Sequence, residues 1–312
     1  MIWRQSGARP HWLLYIRKMK VDSRNFVPSK VLEQKINIMS KTIFITGASR
    51  GFGKIWAQAF LDRGDSVAVT SRNVSGLKDL ADKYGSAVLP LELDITSRAA
   101  CFEAIARAKA NFGSLDVVIN NAGMGVFGAV EEVDEEAARE IIDVNFFGTL
   151  WITQAALPVM RSQGSGHILQ LSSAMGIYTF ATLGIYSASK FALEGLSDAL
   201  SQEVKGLGIH VTLVEPNAYA TDFGTSSVQS NSTAAYEDMK ARLYAQPEFA
   251  AVDAYGDPNA TSEAILKLVD EPNPPLRLFL GKKALLLAQD AYAERLATWE
   301  IWKDVSIKAH GL

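Results

Sequence analysis

Tyr186 and Lys190 stand four residues apart in the run YSASK, inside a stretch whose apolar spacing predicts a helix over 186–206. On a helix that spacing makes the two side chains neighbours on one face. A phenol with its ordinary pKa of about 10 is a poor proton acceptor at neutral pH. An ammonium beside it favours the phenolate and lowers that value. Such a pair can give a proton to, or take one from, an oxygen that alternates between alkoxide and hydroxyl. A second chemical feature is TGASRGFG, with glycines at 47, 51 and 53. A turn of that kind lets backbone come close to a pyrophosphate and aims free helix N–H groups at it. Each pattern alone has a plainer explanation. Most Tyr/Lys pairs at this spacing are surface residues, and a glycine triplet can be only a turn.

The elements that would position these residues follow from hydrophobic periodicity. Apolar runs at 43–46, 66–70, 87–93, 116–120, 167–172, 210–216 and 276–281 alternate with helical patterns at 53–63, 97–112, 134–162 and 186–206. The runs are apolar throughout, as strands buried on both faces must be. Alternating strand and helix imply one doubly wound, Rossmann-type parallel sheet of about seven strands with helices on both faces. In such an α/β fold ligands sit at the carboxyl ends of the strands. The glycine turn follows the first strand, where a nucleotide site needs it.

With these residues in order, the chain resembles the short-chain dehydrogenase/reductase family over about residues 41–281. Four features carry the likeness: the GxxxGxG turn, NNAG at 120–123 after the fourth strand, YSASK at 186–190, and the spacing of Ser173 thirteen residues before Tyr186. Asn145, within VNFFGT, matches the family's catalytic asparagine. The resemblance implies a tetrad of Asn145, Ser173, Tyr186 and Lys190. In it Ser173 hydrogen-bonds the substrate oxygen, Lys190 also holds the nicotinamide ribose, and Asn145 positions a water that links Lys190 to solvent. Ser172 competes with Ser173, and spacing favours the latter. A softer likeness points to the 17β-hydroxysteroid and retinol dehydrogenase subgroup.

The resemblance also implies a nicotinamide cofactor held by Gly47, Ser49, Arg50, Gly51, Phe52, Gly53, Ser71, Arg72, Asp94, Ile95, Asn121, Ala122, Gly123, Tyr186, Lys190, Pro216 and Thr221. Asp94 matches the position that meets the adenine amine, although a carboxylate near a helix start at Ser97 reads as well. An acid at the end of the second strand would repel a 2′-phosphate. Ser71 takes that place, and Arg72 and Arg50 offer guanidinium groups instead. NADP(H) is therefore expected over NAD. Where the family has Pro-Gly after the sixth strand, this chain has Pro216-Asn217, which puts the turn in question because positive φ favours glycine.

Met124, Val126, Phe127, Met175, Tyr178, Phe180, Tyr219 and Phe223 are the residues expected to border the nicotinamide. Their character favours a moderately hydrophobic ketone, aldehyde or alcohol, and no basic cluster is visible for an acidic substrate. The alternative to an enzyme is a catalytically silent NADP(H)-binding regulator on the same fold. The polar stretch 224–262 is expected to form a partly helical lid. The tail 282–309 is expected to be an amphipathic helix packed on the core, or else a subunit contact. The helices 134–162 and 186–206 form the subunit contact in many members of the family, so a homodimer or homotetramer is expected.

Composition bounds the remainder. Residues 1–38 hold eight Lys/Arg and two Asp/Glu, against 23 and 32 in the rest. An acidic body argues against non-specific nucleic-acid binding. The basic 1–38 segment is read as an extension outside the fold, with a transit-like segment as the alternative, and 39–312 as a single NADP-binding catalytic domain. Cys101 is the only cysteine, so no intrachain disulfide can form and a reducing compartment, the cytoplasm, is expected. Four scattered histidines lack metal-ligand spacing, and no run reaches membrane-spanning length.

Overall fold

The computed structural model describes residues 40–246 and 255–311. The basic extension predicted over 1–38 lies outside the described residues.

Seven parallel strands form the main sheet: β1 (Thr42–Ile45), β2 (Ser66–Ser71), β3 (Val88–Glu92), β4 (Val117–Asn120), β6 (Gly166–Leu171), β7 (Ile209–Pro216) and β9 (Arg277–Leu280). Two short strands, β5 (Val126–Phe127) and β8 (Val228–Gln229), pair with each other outside it. The order in the main sheet is β3-β2-β1-β4-β6-β7-β9. The strand order reverses between β1 and β4, which leaves a crevice at their carboxyl ends. The expected doubly wound seven-stranded fold is therefore present.

Alternation explains why the strands read as apolar throughout. Ile43 and Ile45 of β1 face one helical layer and Phe44 the other, and all three are fully buried. The first layer is α1 (Gly51–Arg63) with a helix at Thr261–Asp270. Trp56 and Phe60 of α1 pack against Ile265 and Leu268 there. The opposite layer is α3 (Arg98–Phe112), α5 (Thr149–Gln163) and α6 (Gly184–Val204), through Ile105, Ile152 and Leu200. Burial of a large aliphatic or aromatic side chain contributes about 1.5–3 kcal/mol.

Two predicted elements differ in detail. The helix expected over 134–162 is α4 (Glu135–Ile142) and α5 joined by a π-helical segment, Asp143–Gly148. Such widened turns occur inside helices frequently at functional sites. The tail is helical over Ala284–Ile301 and Lys303–Lys308, but the expected core packing holds for a narrow stripe only. Ala284 and Ala288 are buried, while Leu285, Leu286, Tyr292, Leu296, Trp299 and Trp302 are exposed. Its apolar residues are distributed around the helix, so one face cannot cover them all.

Candidate active site

The glycine turn is shaped by close backbone approach. Gly47 has φ +68°, and a Cβ there would lie 2.9 Å from Ala122 Cα. A Cβ on Gly53 would lie 2.5 Å from both Gly47 O and Asn121 Nδ2. Only glycine fits these positions without displacing the chain. The NNAG segment braces the turn from β4. Asn121 Nδ2 donates to Thr46 O (2.8 Å) and Gly47 O (2.9 Å), while Thr46 Oγ1 accepts from the backbone N–H of Asn121 and Ala122, each at 3.0 Å. Arg50 precedes α1 in extended conformation, with no side-chain cap and no acid in the first turn. The first N–H groups of α1 are thus left for an anion.

Ser71 ends β2, half-buried, and its hydroxyl accepts from Asn73 N at 3.3 Å. Arg50 and Arg72 are exposed, and neither has an ion-pair partner among the described residues. Asp94 accepts from the N–H and hydroxyl of Thr96, at 2.9 and 2.7 Å, which holds its carboxyl below the ordinary range with help from the Arg72 charge. The capping alternative goes instead to Ser97, whose hydroxyl accepts from Ala100 N. Ile95 is buried, and a Cβ on Gly148 would lie 2.7 Å from it. Ser49 packs at Gly76, where a Cβ would approach it to 3.0 Å. Thr221 lies over the glycine turn, 3.9 Å from where a Cβ on Gly51 would stand.

Asn217 brings no strain to the turn after β7. Among the described residues the non-glycine with positive φ is Thr182, at 71°. Asn217 N donates to Leu280 O at 2.9 Å, so β9 fixes the segment and a glycine is not needed.

Ser173, Tyr186 and Lys190 meet on one wall of a cavity of about 720 Å³ at the carboxyl ends of β4, β6 and β7. All three are buried. Tyr186 shares a side-chain hydrogen bond with Ser173, yet burial pushes its phenol up to about 12. Lys190 Nζ is 5.8 Å from the Tyr186 ring centre and donates to Leu171 O at 2.7 Å. Burial lowers Lys190 to about 8, with the Glu194 charge acting the other way. Desolvation thus drives both groups toward their neutral forms, and for Tyr186 it outweighs the lowering expected from an ammonium beside it. Ser172 and Ser173 both line the cavity; Ser172 Oγ donates to Glu194 Oε1 at 2.6 Å, whereas Ser173 is the serine hydrogen-bonded with Tyr186.

Asn145 lies in the π-helical segment and is 1% exposed. Its Nδ2 donates to Met124 O (2.9 Å) and Ser189 Oγ (3.0 Å), and its Oδ1 accepts from Met124 N at 2.9 Å. Gly123 is the condition for this contact. A Cβ there would lie 3.1 Å from Asn145 Oδ1 and 3.8 Å from Lys190 Nζ.

A family model described as short chain dehydrogenase matches residues 41–232. The chain belongs to the short-chain dehydrogenase family. It is 36% identical over 273 residues to oxidoreductase BOA17 of Botryotinia fuckeliana, which covers 86% of this chain and 99% of that protein. It is 37% identical over 241 residues to a 3-ketodihydrosphingosine reductase of Bacteroides thetaiotaomicron, covering 77% and 87%. Among solved structures, a short-chain dehydrogenase from Streptomyces avermitilis is similar with TM-score 0.79 and 35% identity, covering 86% of this chain and 98% of that one.

Of the residues expected at the substrate side of this short-chain dehydrogenase, Phe127, Met175, Phe180, Tyr219 and Phe223 line the cavity. Met124, Val126 and Tyr178 do not: Val126 is committed to pairing with Val228, and the Tyr178 ring is buried in the adjoining apolar cluster. Thr182, Tyr244, Tyr255, Lys283 and Leu287 are lining residues that the motifs did not indicate. Among the described lining residues, Lys283 and Lys190 are the charged ones and there is no acid.

Among the described residues there is no cluster of His, Cys, Asp and Glu suited to a metal. No described helix is long and apolar enough to cross a membrane. Cys101 is buried and unpaired, and desolvation lifts its thiol to about 12.

Proposed function

We propose that this chain is an NADP(H)-dependent oxidoreductase that interconverts a moderately hydrophobic ketone or aldehyde and its alcohol. The observation carrying this reading is the one cavity lined by Ser173, Tyr186 and Lys190 together with Phe127, Phe180 and Phe223. The cofactor fits the residues present, because Gly47 and Gly53 let the turn pack tightly on Ala122 and Asn121, Gly51 takes φ +56°, and α1 offers uncapped N–H groups. Asn121, Ala122 and Gly123 would extend that cradle, with Phe52, Pro216 and Thr221 around the nicotinamide end. Arg50 and Arg72 beside Ser71 favour a 2′-phosphate over a bare ribose hydroxyl.

The bound nicotinamide supplies or accepts the hydride. The protein's part is to orient the carbonyl and manage one proton. Burial keeps Tyr186 protonated at neutral pH, the form that donates to an oxygen becoming an alkoxide. Ser173 would donate a hydrogen bond to the same oxygen, stabilising charge as it develops. Lys190 would hold the ribose and hand protons onward. Both N–H groups of the Asn145 amide are taken, so its side chain could hold a relay water only as an acceptor.

Residues 224–262 act as the lid in this reading. Their described part takes in most of α7 (Phe223–Ser226) and all of α8 (Ala234–Tyr244), and is docked through β8 and through Lys240, which pairs with Glu132 at 2.6 Å. Residues 39–312 form the catalytic domain, and assembly into a homodimer or homotetramer through α5 and α6 agrees with exposed Phe147 and Phe191 near them. The deciding experiment follows absorbance at 340 nm with NADPH or NADH across aliphatic, aromatic, steroid and retinoid carbonyls. Oxidation that prefers NADPH and is lost in Tyr186→Phe is the expected result. Equal efficiency with both cofactors would overturn the NADP(H) assignment. Silence with tight NADPH binding would favour a regulator.

A further inference from the structure

Behind the cavity wall lies a buried ionic cluster that the reaction as described does not use. Glu194 is 5% exposed and Glu215 fully buried. Arg277 Nε donates to Glu194 Oε2 at 2.9 Å and lies 3.4 Å from Glu215 Oε1, so the two carboxyls crowd one guanidinium. The same Arg277 reaches Asp198 Oδ2 at 2.8 Å. Neither oxygen of Glu215 has a hydrogen-bonded partner, although both are buried. Two ionised carboxylates at this range repel, and an orphaned buried acceptor costs on the order of 1–3 kcal/mol. One proton shared between Glu194 and Glu215 removes the repulsion and gives a Glu215 oxygen a partner.

The cluster reaches the site by two routes. Glu194 follows Lys190 by four residues on α6, which sets their side chains on one face about 5–6 Å apart at Cβ. Its other oxygen accepts from Ser172 Oγ at 2.6 Å, immediately before Ser173. Gly176, in the turn after Ser173, is shaped to this contact. A Cβ there would lie 2.8 Å from Ser172 Oγ and 3.0 Å from Glu194 Cγ. The groups facing Glu194 are therefore Lys190 and Asp198 from α6, Ser172 from the end of β6, Glu215 from β7 and Arg277 from β9.

We propose that Glu194 is a positioning residue for Lys190 and Ser173. With Glu215 it forms a pair carrying one negative charge, which faces the Lys190 ammonium and, through Ser172, fixes the strand end that presents Ser173. The inference rests on the proposed role of Lys190 as a cation at the nucleotide. Burial draws Lys190 down to about 8, close to working pH, so a nearby negative charge decides how much of it remains an ammonium. Glu215 is raised to about 8, above its ordinary 4.5. A carboxyl raised in the folded state binds a proton that the unfolded chain has released. Its stabilising effect is full below pH 4.5 and is lost as pH rises through about 8.

Two measurements on the full chain test this. In the first, the melting temperature of the cofactor-free protein is followed from pH 5 to pH 9 for wild type and Glu215→Gln. Glutamine mimics the protonated acid, so the variant should gain on wild type steadily as pH rises. Parallel curves would overturn the shared proton. In the second, NADPH affinity is titrated by cofactor fluorescence from pH 6 to pH 10. With Glu194→Gln and Glu215→Gln combined, the alkaline limb should move down by roughly one pH unit. Glu194→Gln alone should move it less, because Glu215 then ionises in its place. A limb at the wild-type position in both variants would overturn the positioning role. If the double variant does not fold, an unshifted Glu194→Gln limb overturns it alone. Failure of wild type to bind either NADPH or NADH would instead remove the nucleotide reading on which this one stands.

Discussion

The glycine turn and the cavity wall opposite it are built on different principles. Around Gly47 and Gly53 the backbone itself is the site. A Cβ at either glycine would stand only 2.5–2.9 Å from neighbouring atoms, and Asn121 ties both strands' ends with hydrogen bonds to Thr46 and Gly47. On the substrate side the wall is assembled from side chains of β5, the turn after β6, the lid and the tail helix. The first region tolerates almost no change in residue type and therefore leaves a motif. The second requires only apolar bulk at the right place, and bulk leaves no motif. The comparison predicts that substitutions in the first region will damage every substrate alike, and those in the second will change preference.

Tyr186→Phe lies where the two regions join and should have the largest effect. It removes the proton donor and keeps the ring against Phe223, whose centroid is 5.5 Å away. Turnover should fall by about 10²–10⁴ with NADPH affinity nearly intact. Steady-state rates with the best carbonyl of the panel, beside fluorescence titration of NADPH, check both halves. A variant keeping most of its turnover would show that the proton comes from elsewhere.

Gly53→Ala should come next. Its methyl would meet Gly47 O and Asn121 Nδ2 at 2.5 Å, so the turn must open or the Asn121 brace must break. NADPH affinity should fall on the order of a hundredfold, with a stability loss of about 1–3 kcal/mol from overpacking. Isothermal titration and thermal melting read these separately. Near-normal affinity would mean that the turn is looser than its contacts imply.

Arg50→Ala and Arg72→Ala should have intermediate effects that fall on one cofactor alone. Each should reduce the preference for NADPH over NADH about tenfold, or roughly 1.4 kcal/mol. Effects should shrink at high salt, since both guanidinium groups are exposed. Equal losses with NADH and NADPH would place these arginines at the shared pyrophosphate instead.

How much could be read beforehand follows the same division. The sheet was legible because β1, β2, β4 and β6 are buried on both faces, so their sequences lack the apolar–polar alternation of a half-exposed strand. Gly47 stood out through the turn its spacing implies, and Asn121, Tyr186 and Lys190 through the NNAG and YSASK motifs that resemble the family's. Thr182 was not: nothing in its neighbourhood announces a β-branched residue at positive φ, held by Gly128 N bonding to its carbonyl at 2.9 Å. Lys283 and Leu287 were not legible either, because their place on the cavity depends on how the tail helix crosses the fold. The π-helical turn that carries Asn145 follows helical periodicity closely enough to pass as α-helix. Glu194 and Glu215 read as ordinary charged residues until the strands bring Arg277 between them.

The smallest effect should come from the lid's anchor, and it sharpens the comparison most. Glu132 accepts from Thr233 N at 2.7 Å and from Ala129 N at 2.8 Å, and pairs with Lys240 at 2.6 Å. Chiefly through Lys240, its carboxyl is held down at about 2. A carboxyl lowered in this way stabilises the docked lid above its ordinary value of 4.5, and that contribution fades as pH falls toward 2. Lys240→Ala removes the partner without touching the glycine turn. KM for the carbonyl should rise a few-fold, in keeping with loss of one ion pair, while NADPH affinity stays at the wild-type value. Cleavage within 233–246 under limited proteolysis should quicken in step. If KM and NADPH affinity weaken together, the lid closes over the nucleotide as well, and the two regions are one site rather than two.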